Sequence, residues 1–107
     1  MIIAMEVISV AESVIKSLRQ PIFVSRGIDS QDVPAGAAVV YTDTIPELVG
    51  YTAHVMSMHI TDTGNTAYGR VQIVWVQDGN RLNAHVINSG SDDVAPAPLY
   101  EVLYIPT

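Results

Sequence analysis

Thr66-Ala67-Tyr68-Gly69-Arg70-Val71-Gln72-Ile73-Val74-Trp75-Val76-Gln77, then Asp78-Gly79, then Asn80-Arg81-Leu82-Asn83-Ala84-His85-Val86-Ile87 is the stretch on which the fold turns. An Asp-Gly pair between two alternating apolar runs is a strong hairpin signal. Both central residues of a type I′ turn need positive φ, which Asp tolerates and Gly adopts freely. Before the turn, Val71, Ile73 and Trp75 share one face, opposite Arg70, Gln72, Val74 and Val76. After it, Leu82, Ala84 and Val86 alternate with Asn83 and His85. The pattern predicts the central hairpin of an antiparallel sheet. A helix over residues 80–88 is the alternative, since Leu82, Val86 and Ile87 can share a helical face.

Working back from the hairpin, Val49 to Thr61 reads as a long strand, closed by a turn at Asp62-Thr63-Gly64-Asn65. Pro46 is barred from a central ladder, so residues 44–48 form a connection. Ala37 to Thr42 is a strand with apolar residues on both faces, which predicts cover on both sides. Val33-Pro34-Ala35-Gly36 is a turn, and Ile22 to Ser25 a short strand. Near the N-terminus, Ser9-Val10-Ala11-Glu12 is a capping box. Ala11, Val14, Ile15 and Leu18 then recur at helical spacing until Pro21 stops the helix. Downstream of the hairpin, Asn88 to Pro98 is a loop, and Leu99 to Ile105 closes the chain as a strand. The whole predicts a single α+β domain over residues 1–107, with an N-terminal helix packed on a mostly antiparallel sheet.

The chain has 107 residues, 49% hydrophobic and 15% charged, which is a folding composition with an unusually low charged share. Such a surface suits partial cover by another subunit. Net charge is −6 with five Lys and Arg in all, so no basic cluster exists to neutralise a phosphate backbone. Cys is absent, which removes disulfides, thiolate metal sites and a Cys nucleophile. The apolar opening Met1 to Ile8 is too short for a membrane span, carries Glu6 and has no basic residue before it. That reads as neither transmembrane helix nor secretory leader, and predicts synthesis in the cytoplasm.

Three groups of residues carry possible chemistry. In a regular strand His54, Met56 and Met58 project to one side, a plausible Cu(I) set of imidazole and thioethers. The competing reading makes the two Met residues core fillers. His85 with a nearby Asp could serve acid/base chemistry in a small pocket enzyme or ligand-binding domain, as could His54 or His59. The plainer reading is a solvated sheet histidine. Trp75, alternating with Val71 and Ile73, reads as core and not as a partner anchor. No Gly-x-Ser-x-Gly, phosphate-binding loop or calcium loop occurs, so neither a catalytic residue, a metal nor a cofactor is assigned.

The capped helix ending at Pro21, the Val33-Pro34-Ala35-Gly36 step into Val39-Val40-Tyr41, and Arg70-Val71-Gln72-Ile73-Val74-Trp75 together resemble the small tail-completion or tail-terminator proteins of tailed bacteriophages. The resemblance covers about residues 9–77. It implies a non-enzymatic ring subunit where tail meets head, with copies of itself and other virion proteins as partners, located in the virion. The chain departs from that pattern after Trp75, where the family continues into a second helix. Leu99, Tyr100, Val102, Leu103, Tyr104 and Ile105 on the closing strand are the candidate oligomer interface. The loose Ala95-Pro96-Ala97-Pro98 arm before it could carry that strand to a neighbour's sheet edge.

Overall fold

The computed structural model describes residues 19–60 and 70–107. The proposed helix from Ser9 and the turn at Asp62–Asn65 lie outside the described residues. The described residues form six strands in order: β1 (Ile22–Gly27), β2 (Ala38–Thr44), β3 (Tyr51–Ile60), β4 (Val71–Asp78), β5 (Arg81–Asn88) and β6 (Pro98–Pro106). They form two antiparallel three-stranded sheets, β1-β6-β3 and β2-β5-β4.

This corrects the α+β expectation. The described residues contain no helix, and the strands divide between two sheets where a single helix-covered sheet was expected. Each sheet covers the other's apolar face. The central strands supply the core from both sides: Leu82, Ala84 and Val86 of β5, and Tyr100, Val102 and Tyr104 of β6. Full burial of a Val or Leu side chain is worth about 1.5–3 kcal/mol, so these two facing rows dominate the packing. Val71, Ile73 and Trp75 pack against that cluster from β4, as their alternation predicted.

The β4–β5 hairpin is present and excludes a helix over residues 80–88. Its turn is shifted by one residue from the expected position, because Asp78 pairs with Arg81 and leaves Gly79-Asn80 as the loop. Gly79 has φ +59° while Asn80 keeps a negative φ. Glycine with positive φ at the first central position is the type II′ arrangement, so Asp78 ends the strand and need not adopt positive φ.

Strand β2 is an edge strand, not a strand covered on both sides. Tyr41 is fully buried, whereas Val40 on the other face is 49% exposed. The closing strand β6 is the centre of its sheet, paired with β1 on one side and β3 on the other.

Buried tyrosines tie the strands to the connecting loops through their hydroxyls. Tyr41 Oη accepts from Gln31 N–H at 3.2 Å and lies within donating distance of Gln31 O (2.9 Å) and Pro96 O (2.8 Å). Tyr104 Oη donates to Pro46 O at 2.7 Å. A large apolar ring with a satisfied polar tip gains burial without leaving an orphaned hydroxyl. Asn88, 1% exposed, pins the two long loops beside the core. Its Nδ2 donates to Val33 O at 3.1 Å and Asp92 O at 2.7 Å, and its Oδ1 accepts from Gly90 N–H at 3.0 Å.

Candidate interaction surfaces

The outer face of β2-β5-β4 is built by the alternate residues that the core does not use. Register places Val40, His85 and Val74 in one row, Ala38, Ile87 and Gln72 in the next, and Thr42, Asn83 and Val76 on the other side. Val40, Val74, Val76 and Ile87 are all exposed. His85 therefore stands between two valines on an apolar face, and no Asp occurs in its row or the rows beside it. A charged row, Thr44, Arg81 and Asp78, lies two steps down the sheet from His85.

On the opposite side of the molecule, the outer face of β1-β6-β3 carries Phe23, Leu103 and His54 in one row and Gly27, Leu99 and His59 in another. Phe23 is 68% exposed and Ile105 is also exposed. Among the six residues proposed for an interface, Tyr100, Val102 and Tyr104 point into the core, while Leu99, Leu103 and Ile105 lie on this outer face.

The expected His54-Met56-Met58 row is broken by a β-bulge. The pairing with β6 shifts between Val55 and Ser57, which changes the facing of the residues beyond it. His54 and Met56 remain exposed, but Met58 pairs with buried Tyr100 and packs against the core. The three do not share a face. No group of three or more His, Cys, Asp or Glu able to hold a metal ion occurs among the described residues.

Two polar arrangements span the sheets, and neither follows from a motif. Arg26 Nε donates to Tyr100 Oη at 3.0 Å, Tyr100 Oη donates to Asp43 Oδ2, and Arg26 Nε lies 3.8 Å from the same carboxylate. Burial and the hydrogen bond to Asp43 push the Tyr100 hydroxyl up to about 12. The bond to Tyr100 raises the Arg26 guanidinium further above its ordinary range, with Asp43 adding to the effect. A phenol so strongly protonated is a structural donor and a poor nucleophile at neutral pH. The second arrangement joins β4 to β3. Val55 N–H donates to Gln77 Oε1 at 2.8 Å, and Gln77 Nε2 donates to Ala53 O at 2.8 Å. Gln77 was legible as unusual, being the one polar residue in the inward phase that runs Val71, Ile73, Trp75.

A cleft of about 580 Å³ opens beside this contact, lined among others by Glu47, Tyr51, His54, Gln77 and Asn80. Its lining mixes polar and apolar residues, and it is open to solvent. Glu47 Oε1 accepts from Asn80 Nδ2 at 2.6 Å, so the nearby carboxylate is already engaged.

These features define a small antiparallel β-sandwich with apolar residues on both outward faces. Comparison with protein-family models, with curated proteins and with solved structures gives no match.

Proposed function

We propose that the chain is a non-enzymatic structural subunit that works by associating with copies of itself. The observation that supports this best is the pair of outward sheet faces. Scattered exposed apolar residues are ordinary, but Val40, Val74, Val76 and Ile87 lie in adjacent rows on one face. Phe23 and Ile105, flanked by half-buried Leu99 and Leu103, populate the other. A sandwich with contact residues on two opposite sides can be bonded by neighbours on both, which a ring, tube or shell requires.

The histidines fit this reading better than an acid/base one. His54 and His59 occupy one outer face and His85 the opposite one, so the fold does not gather them. The particular assembly we propose is a bacteriophage virion, as a tail terminator or head–tail joining subunit with copies of itself and other virion proteins as partners. The sequence resemblance is the support for that step. Native mass measurement with negative-stain imaging is the test. A ring, tube or shell supports the reading. A chain that stays monomeric at high concentration, alone and with its neighbouring gene products, overturns it.

A further inference from the structure

The two long sides of the sandwich are finished differently. On one side β3 carries a bulge, and the Gln77 amide occupies Ala53 O and Val55 N–H, so the β3 edge is partly capped. On the other side lie β1 and β2, joined near one end through Arg26, Tyr100 and Asp43.

The direction of the β1 ladder groups follows from one bond. Ile28 N–H donates to Pro98 O at 2.8 Å, which continues the β1–β6 register beyond Gly27 and Leu99. Alternation in an antiparallel ladder then commits the peptide groups of Ile22, Val24 and Arg26 to β6. Those of Phe23, Ser25 and Gly27 are turned to the outer edge, with which no strand among the described residues pairs. The side chains are equally unfinished. Ile22 and Val24 face inward, opposite buried Tyr104 and Val102, yet remain 39% and 37% exposed. Phe23 is exposed on the other face. Between Ile22 and Ser25 there is no proline, charge or bulge of the kind that blocks an edge strand.

We propose that β1 pairs antiparallel with β1 of a second copy across a two-fold axis at Phe23, joining two three-stranded sheets into one of six strands. The proposal rests on the self-association reading and deepens it by adding an edge contact to the two outward faces. A second copy is the occupant because the strand is complementary to itself about that axis. Ile22 of each copy meets Val24 of the other on the inner face, so each closes the other's half-open interior. Phe23 meets Phe23, and the two exchange a pair of N–H to O bonds. Ser25 N–H of each copy reaches the Pro21 carbonyl of the other. No charged side chain lies between Pro21 and Ser25, so two chains of net charge −6 can meet there without like charges directly opposed.

Two variants test the contact. The chain has no Cys, so Phe23→Cys puts the only thiol at the axis. Antiparallel partners there have Cα atoms about 5.5 Å apart, within disulfide range. Mild oxidation is expected to give a disulfide dimer in high yield, with Ser91→Cys, at an exposed position in the loop after β5, as the control that does not. Ser25→Pro removes an outer-edge N–H and leaves the β6 ladder intact. It is expected to weaken association at least tenfold by sedimentation while circular dichroism remains that of the folded chain. Val24→Pro, which removes a donor that β6 uses, is expected to unfold it. An oligomer that persists in folded Ser25→Pro, or that fails to cross-link through Phe23→Cys, places the contact elsewhere and overturns the proposal while self-association stands. Should Ser25→Pro unfold, the cross-link decides alone. A parent chain that remains monomeric at high concentration defeats both readings.

Discussion

The side chain of Gln77 stands where a neighbouring strand would stand against Val55. Its amide accepts from Val55 N–H and donates to Ala53 O, each at 2.8 Å, as a peptide group would. One side chain thereby satisfies two ladder groups on the β3 edge and ties it to the other sheet. Gln77→Glu keeps the acceptor but sets a carboxylate oxygen against Ala53 O. We expect a loss of about 1–3 kcal/mol in denaturant unfolding at neutral pH. Part of it should return on acidification, as a protonated carboxyl regains a donor. Equal stability of variant and parent at pH 7 would remove the capping role.

Tyr100 sets an alkaline limit that can be isolated. An exposed tyrosine titrates near 10, whereas burial, reinforced by donation to Asp43, raises this hydroxyl to about 12. Between those values the unfolded chain sheds the proton and the folded chain keeps it. The stability contribution is therefore complete below pH 10 and falls as pH rises toward 12. Tyr100→Phe loses that part of the slope, together with about 1 kcal/mol of hydrogen bonding at neutral pH. Parallel unfolding curves from pH 9 to 11.5 for the two proteins would contradict the assignment.

Gly79 and Gly27 separate backbone strain from crowding. A Cβ at Gly79 meets no atom within 4 Å, but its φ is +59°. At Gly27 a Cβ would make only ordinary contact with Leu99 Cδ1 at 4.0 Å, without positive φ. Gly79→Ala is expected to cost about 1 kcal/mol and Gly27→Ala to be neutral or slightly stabilising. The comparison needs only two denaturation midpoints, and a reversed order would argue against the turn geometry.

Asn88 is the polar group on which the loops depend. Asn88→Leu leaves Val33 O with its Val94 partner but deprives Asp92 O and Gly90 N–H of theirs. A loss of about 2–4 kcal/mol is expected, with the 28–37 and 88–97 loops opening first. Hydrogen exchange at Val33 and Val94, which bridge each other, reads that opening directly. Unchanged protection there would show that the loops are held by other contacts.

The strands were legible from the sequence because alternation and turn chemistry act over a few residues. The hairpin, the inward phase of Val71, Ile73 and Trp75, and the extents of β3 and β6 to within two residues all follow from side chains that must alternate in an extended chain. What pairs with what is decided over far longer separations. The bond from Arg26 to Tyr100 spans 74 positions, and β6 lies between β1 and β3, which are distant from it in sequence. No local pattern distinguishes one helix-covered sheet from two sheets facing each other, since both ask only for one apolar side per strand. The bulge after Val55, the edge position of β2 and the use of Gln77 as a substitute strand arise from fitting the sheets together. Period-two alternation determined the strands; only packing between the sheets decided which sides meet solvent.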